Sequence, residues 1–337
     1  MLSPTRAQIG AAGPPVDEDR RWLTMMAATT LAEFIWWAAA RLSGIAPYPS
    51  LPTYAALTFI GLAAAFALRT ATRPDARRSS LRSVISGAAC VAIGGSLFLP
   101  LKFAIPRQVP FWLDVPLAHA ERSIFGADPW LLLDRSVGWA VVPMDLLYVL
   151  WLPVQLLILF TVMLEPPSAE KCRALMAYIL GWFVLGVAAA TLFSSAGPIF
   201  FDRLYGGSDY ALLRETLQAR GAWVVLAESD AMWSAYVHGE RGLLTGISAL
   251  PSIHVAISFW IVLTARAMAP RLAKWALVYF LLIWLGSVQL GWHYVSDGLA
   301  GAIGMLAIWT LASVMYGMFD RSGDPSSTAR SDSRADI

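Results

Sequence analysis

The chain has 337 residues, of which 57% are hydrophobic and only 14% are charged. A soluble domain has about 25% charged residues, so much of this protein's surface must face something other than water. The net charge of +2 provides no global positive field, and we therefore expect no nucleic-acid partner. These values exclude an ordinary soluble enzyme and favour an integral membrane protein.

Eight apolar stretches approach the roughly 20 residues that a helix needs to cross the hydrocarbon core. They predict an all-α membrane protein, a bundle of about six to eight transmembrane helices. The stretches are Trp22–Leu42, Leu51–Leu68, Ser83–Leu101, Val137–Val162, Ala174–Phe193, Ser252–Ala269, Trp275–Leu290 and Leu299–Met318.

The polar ends and the distribution of basic residues predict the organisation and orientation of the chain. With the N-terminus inside, sixteen of the 25 lysines and arginines fall on the inner side, although the outer loops are longer. We expect a bacterial cytoplasmic membrane protein with both termini in the cytoplasm. The expected divisions are a disordered head (1–21), N-terminal transmembrane helices (22–101), a membrane domain with the candidate site (102–318) and a disordered tail (319–337).

Two outer segments differ from the spans. The segment from Lys102 to Gly138 is too polar to span but rich in aromatic residues, which is typical of short helices at the membrane interface. The longest loop, Ser194 to Leu250, also contains aromatic residues and predicts an ordered lid. Cys90 and Cys172 lie at different depths, so we expect no disulfide.

The first candidate motif begins the sixth span. Pro251 suits the first turn of a helix, where its missing N–H costs nothing. Ser252 and His254 then lie where free backbone N–H groups and the positive end of the helix dipole face the outer side. This pattern predicts a phosphate site, with the Ser252 hydroxyl as an additional donor.

The second candidate motif lies between the last two spans. His293 and Asp297 are four residues apart, a spacing that places two side chains on one helical face. A carboxylate bound to one imidazole nitrogen fixes the tautomer and makes the other nitrogen a better nucleophile. The predicted topology also places His254 on the same outer side as this pair.

Together, Pro251-Ser252-Ile253-His254 and His293-x-x-x-Asp297 resemble the second and third motifs of the type-2 phosphatidic acid phosphatase superfamily. The resemblance covers roughly Lys102 to Gly304. It implies a helical membrane fold and a phospho-histidine mechanism. In that mechanism His293 attacks phosphorus, Asp297 orients His293, and His254 protonates the leaving oxygen.

The departures from that family are informative. Its phosphatases have Ser-Arg where this chain has Gly286-Ser287, and its first motif, Lys-x6-Arg-Pro, has no clean match here. The segment from Ser195 to Arg203, and Tyr294 after the histidine, resemble the inositol phosphorylceramide synthase branch. That resemblance implies a phosphotransferase. With the usual arginine absent, we expect another cation to bind phosphate: Arg203 first, then Lys102, then Arg107.

Tyr294 and Asp145 are further candidates for substrate binding, although Asp145 could equally form a hydrogen bond in the helix packing. Glu33 also lies within an apolar span and receives no catalytic role. We expect a phospholipid or sphingolipid substrate within the bilayer, and neither a cofactor nor a metal ion. The oligomeric state is left open. The alternatives are a lipid phosphatase that uses water, a transporter or lipid-binding protein with a His/Asp relay, and a metal site formed by His254, His293 and Asp297.

Overall fold

The computed structural model describes residues 18–76, 78–239 and 246–322. These residues form helices and no strand, which confirms the predicted all-α fold. Among them, six helices are long and apolar enough to cross a membrane, and a bent helix pair would make seven.

Three long helices form the N-terminal part: α1 (Glu18–Leu42), α2 (Leu51–Thr72) and α3 (Leu81–Gln108). Helix α3 packs against both α1 and α2. The sequence predicted that the third span ends at Leu101, but α3 continues for two more turns. Phe103, Ala104 and Ile105 are buried, and this burial favours the helix over the polar interfacial segment that we expected. Lys102 therefore belongs to a long helix.

The middle of the chain contains short helices and a bend. The helices are α4 (Asp114–Phe125), α5 (Pro129–Val137), α6 (Val141–Val149) and α7 (Trp151–Leu164). The predicted fourth span consists of α6 and α7, and the helical segments on either side of Leu150 are bent by 44°. Pro153 accounts for the break, because its ring clashes with a carbonyl four residues earlier, at the end of α6.

The next long helix leads into the predicted lid. Helix α8 (Ala169–Phe183) continues through a wider π-helical segment, Val184–Ala189, into the short helix α9 (Ala190–Leu192). Three helices then form the described part of the outer segment: α10 (Phe201–Tyr205), α11 (Ala211–Arg220) and α12 (Trp223–His238). Residues 240–245 of the predicted lid lie outside the described residues.

The C-terminal helices are α13 (Ile253–Met268), α14 (Ala273–Gln289) and α15 (Val295–Ser322). Helix α13 packs against α8, α14 and α15, and its fully buried Trp260 donates a hydrogen bond to the carbonyl of Ala174 (2.8 Å). At 16 residues it is shorter than an ordinary membrane span. Its N-terminus lies against α15, where a side chain at Gly301 would come within 2.4 Å of the Ser252 carbonyl.

A buried polar cluster ties the start of the chain to α8. The Lys171 amine is fully buried and donates to Asp19 Oδ1 and Ser79 Oγ, both at 2.8 Å. Trp22 Nε1 also donates to Asp19 Oδ1 (2.9 Å). Helix α1 begins at Glu18, so residues 18–21 of the expected head are helical. At the other end α15 continues to Ser322, and residues 1–17 and 323–337 lie outside the described residues.

Candidate active site

The candidate site lies beside the N-terminal ends of α13 and α15, which pack together, and Lys102 of α3 lines the same cavity as the two histidines. His293 lies in the connection before α15, whereas Asp297 lies in the first turn of that helix. Their spacing predicted that the two residues share one helical face. This prediction is wrong, because His293 lies before the helix begins. They are nevertheless close: His293 Nδ1 lies 3.4 Å from Asp297 Oδ2.

A backbone N–H group in the segment before α15 holds the Asp297 carboxylate in place. The carboxylate is fully buried, and its Oδ2 accepts a hydrogen bond from the Tyr294 N–H (2.9 Å). His293 Nδ1 and Asp297 Oδ1 have no hydrogen-bond partner among the described residues. The 3.4 Å separation is slightly longer than a normal hydrogen bond, and such contacts often shorten when substrate binds.

The environment of His293 keeps its imidazole neutral. Its side chain is 5% exposed. Burial, with a smaller contribution from the nearby positive charge of Lys102, lowers the pKa of His293 to about 3. At physiological pH the ring is therefore neutral and one of its two nitrogens carries no proton, which is the form that a nucleophile requires.

His254 faces the same space from the start of α13. The centroids of the two histidine rings are 6.1 Å apart. The His254 ring stacks on Tyr148 at 4.5 Å and rests against Trp151 at 4.2 Å. Trp151 Nε1 also donates to the His254 carbonyl (3.1 Å), so the aromatic rings fix both the backbone and the side chain. The sequence did not single out Tyr148 and Trp151 as neighbours of His254, because α6 and α7 are remote in the chain.

Ser252 has a structural position next to the site. Its hydroxyl is fully buried and caps α13 by accepting the Val255 N–H (3.4 Å). Its own backbone N–H donates to the carbonyl of Asp297 (3.0 Å). Ser252 does not line the cavity next to His254. The geometry therefore favours a role in joining α13 to α15 over the predicted contact with phosphate.

A cavity of about 330 Å³ extends from the two histidines into the helical bundle. Its wall is mainly apolar and comes from α1, α2, α3, α7 and α8. The outer segment contributes Phe200, Glu228 and Met232, which agrees with the predicted position of a lid. The size and the apolar wall of this cavity are suited to a hydrocarbon chain.

Lys102 lies at the histidine end of this cavity. It is the only lysine or arginine among the described residues that line the cavity. Its amine forms no hydrogen bond or ion pair with a described residue, and its charge acts on both His254 and His293. Lys102 precedes Val109-Pro110 by the spacing of the Lys-x6-Arg-Pro motif, and it fits that motif at the lysine and the proline. This partial match is the signal that the sequence analysis passed over.

The other predicted cations lie away from the cavity. Arg203 pairs with Asp230, which also accepts from Arg214 Nη2 (2.7 Å). Partial burial acts against ionisation of Asp230, but the two arginines hold its pKa below the usual value. Arg107 donates to the carbonyl of Phe103 (3.0 Å). The geometry therefore does not favour Arg203 as the first candidate, because its side chain is ion-paired with Asp230 and does not line the cavity.

The surroundings of Tyr294 and Asp145 favour a structural role over the predicted substrate contact. The ring of Tyr294 is 2% exposed, its hydroxyl has no partner among the described residues, and burial raises its pKa. Asp145 is 3% exposed and accepts the N–H groups of Val224 (3.0 Å) and Val225 (2.9 Å) at the start of α12. Neither residue lines the cavity. For Asp145, the hydrogen-bonding interpretation fits the contacts better than the acceptor-pocket one.

Asp114 is a site residue that the sequence analysis missed. Its fully buried carboxylate accepts from Ser195 Oγ (3.0 Å), Ala196 N–H (2.9 Å) and Gly197 N–H (2.8 Å). Gly197 has φ +96°, and a side chain there would lie 2.2 Å from the carbonyl of Trp292. Asp114 therefore shapes a turn that packs directly against the segment carrying His293.

Comparison with known families identifies the class of protein. The family model of the PAP2 superfamily matches residues 116–311, more than half of the chain. The chain therefore belongs to the PAP2 superfamily, whose members are generally phosphatases or phosphotransferases. Comparisons with curated proteins and with solved structures returned no match.

Proposed function

We propose that this protein is a membrane lipid phosphotransferase that works through a phospho-histidine on His293. The observation that carries the proposal is the arrangement of His293, His254 and Lys102 at one end of an apolar cavity. A lipid chain would occupy the apolar part while its phosphate faces the two imidazoles and the amine. The substrate would be a phospholipid or a sphingolipid.

The proposed reaction has two steps. An imidazole nitrogen of His293 forms a bond to phosphorus, the bond from phosphorus to the leaving oxygen breaks, and His254 gives that oxygen a proton. The acceptor hydroxyl then attacks phosphorus, passes its proton to His254 and releases His293. Lys102 would stabilise the charge on the phosphoryl oxygens, because positioning and positive charge dominate this type of catalysis. Asp297 would orient His293.

The acceptor distinguishes the possible enzymes. If the acceptor is a hydroxyl group of a lipid or polyol, the protein is a transferase. Ser287 and Tyr294 support this reading, because the sequence at these positions resembles the inositol phosphorylceramide synthase branch. Glu228 supports such an acceptor, because it lines the cavity and forms no hydrogen bond with a described residue. Water as the acceptor makes it a lipid phosphatase, which the superfamily equally includes.

The proposed chemistry needs neither a cofactor nor a metal ion. Among the described residues, His254, His293 and Asp297 do not form a group with metal-binding geometry. We therefore expect activity to persist with chelators and to be inhibited by vanadate. Activity that chelators remove and zinc restores would favour the metal-site alternative.

Product analysis tests the function directly. Purified protein is incubated with labelled phospholipids, with and without inositol or ceramide, and the products are identified by mass. We expect the wild-type protein to transfer a headgroup when an acceptor is present, and we expect His293→Ala to form no product. His238→Ala is the matched control, because His238 is exposed on α12 and its hydrogen bond to a described residue is to the Ser234 carbonyl of the same helix.

The outcomes separate the alternatives. Release of free phosphate irrespective of acceptor would identify a phosphatase. Product formation that survives in His293→Ala would exclude the phospho-histidine mechanism. Lipid binding without any product would favour the transporter or lipid-binding alternative.

A further inference from the structure

The cavity has a second polar region, remote from the histidines. Glu33 and Thr30 of α1 and Tyr54 and Thr58 of α2 line this region, which lies among otherwise apolar side chains. Glu33 is 5% exposed, so its side chain is almost completely enclosed. The two histidine motifs give no role to any of these four residues.

Two consecutive glycines of α3 make room for this region. A methyl group at Gly94 would lie 3.1 Å from Glu33 Oε2 and 3.7 Å from Thr30 Oγ1. At Gly95 it would lie 2.6 Å from the ring of Tyr54. The Gly-Gly pair therefore lets α1 and α2 bring a carboxyl group and a phenol ring close to the backbone of α3.

Two of these polar groups, a carboxyl and a phenol, lack partners among the described residues. Glu33 and Tyr54 form no hydrogen bond or ion pair with any described residue. A buried polar group is costly unless it is hydrogen-bonded, and within a membrane bundle such a residue normally faces a functional cavity. An almost completely buried carboxyl group that faces a cavity without a partner indicates a site for a ligand group.

The position of this region relates it to the candidate active site. Gly94 precedes Lys102 by eight residues on α3, which corresponds to about 12 Å along the helix axis. Apolar side chains, among them Leu57, Phe98 and Leu156, lie along the same cavity. A chain that enters with its phosphate at Lys102 would reach Glu33 with an interior part of its hydrocarbon.

We propose that Glu33 and its neighbours bind a hydroxyl group carried on the hydrocarbon chain of the lipid substrate. A hydroxyl group both donates and accepts hydrogen bonds. A carboxyl oxygen of Glu33 would accept a hydrogen bond from the ligand hydroxyl, and the hydroxyl of Thr30 or Tyr54 would donate a hydrogen bond to the ligand oxygen. The proposal rests on the proposed function, because it assigns the substrate class of the same cavity.

A series of positional isomers tests the proposal. Lipid phosphates with one hydroxyl at successive chain positions are compared with the plain chain, both as substrates of the wild-type protein and as ligands of His293→Ala. We expect a maximum of kcat/KM and of affinity at one interior position, about tenfold above the plain chain. Glu33→Leu should remove this preference and Glu33→Gln should retain part of it.

Two further variants define the site. Gly94→Ala should reduce the preference, because the added methyl group displaces the Glu33 carboxyl group. Thr29→Val is the matched control: Thr29 lines the same cavity, but its hydroxyl already donates to the carbonyl of Met25 (2.8 Å). The preference should be unchanged in Thr29→Val.

The binding measurement keeps this proposal separate from the proposed function. If no variant turns over lipid but His293→Ala binds the hydroxylated chain through Glu33, the subsite stands and the phosphotransferase proposal fails. Equal affinity for plain and hydroxylated chains, or a preference that persists in Glu33→Leu, would overturn the subsite. A stronger preference for a chain with an amine than for one with a hydroxyl would also overturn it.

Discussion

Lys102 is the residue on which the charge balance of the proposed reaction depends. Its amine has no partner among the described residues, whereas Arg203 is ion-paired with Asp230. We expect Lys102→Met to lower kcat/KM by about 10²–10³-fold, the loss typical of removing one group that stabilises transition-state charge. Steady-state assays on detergent-solubilised protein provide the measurement.

Arg203→Ala is the matched control for this substitution, since it removes a cation that the structure places outside the cavity. We expect it to retain most of the turnover. The opposite result, in which Arg203→Ala is inactive and Lys102→Met is not, would restore the assignment that the sequence placed first.

The pH profile follows from the surroundings of His293. The nucleophile must be neutral, and its pKa is lowered to about 3, mainly by burial and secondarily by Lys102. Activity should therefore not fall as pH drops through 6.5, the usual value for histidine. In Lys102→Met the pKa of His293 should rise, so the acidic limb of kcat/KM against pH should move upward. An acidic limb near 6.5 in the wild type would contradict the neutral, buried state of His293.

Local motifs were sufficient to predict His254, His293 and Asp297 as candidates. His254 follows Pro251 and Ser252 at the start of a predicted helix, and His293 and Asp297 are four residues apart. The choice among cations could not be made in this way. Whether an arginine is available depends on its partner, and Asp230 follows Arg203 by 27 residues across two helices. Asp114 could not be found either, because its partners lie more than 80 residues away.

At the scale of helices, hydropathy placed most spans within a few residues of their observed bounds. The differences have local causes. Helix α3 runs past Leu101 because Phe103, Ala104 and Ile105 are buried, and the fourth span is divided by Pro153. A hydropathy window detects how apolar a segment is, but it does not detect which neighbour will cover a partly polar turn.

The anchoring of α12 gives a prediction at this scale. Asp145 accepts two N–H groups at the start of α12, and this helix carries Glu228 over the cavity. Asp145→Asn leaves one of those N–H groups without an acceptor, so we expect a loss of stability of about 1–3 kcal/mol in denaturant unfolding. Turnover per folded molecule should change less than stability.

The matched control is Asp209→Asn, which removes an exposed carboxylate that contacts Arg122 at 3.1 Å. An exposed ion pair contributes about 0–1 kcal/mol, so the change should be small. Unchanged stability together with lost turnover in Asp145→Asn would instead support direct substrate contact by Asp145.

For the whole molecule, the distribution of basic residues predicts that the histidines face the extracytoplasmic side. Single cysteines test this orientation in a background without Cys90 and Cys172. Asp75 and Ser208 are both exposed, the first between α2 and α3 and the second in the outer segment. An impermeant maleimide should label Ser208→Cys in intact cells, and Asp75→Cys only after permeabilisation. The reverse pattern would invert the proposed topology.

The buried pair of Asp19 and Lys171 has a consequence for how this chain can be divided or recombined. The family match begins at residue 116 and contains Lys171. Its partner Asp19 lies outside the match, 152 residues before Lys171. Leaving one member of a buried pair alone costs about 3–5 kcal/mol, a large part of the stability of a typical protein. A fragment confined to the family match would retain the histidines but would leave the buried amine of Lys171 without its carboxylate partner. Chimeras with relatives should therefore exchange both positions together, since neither half of this pair is portable alone.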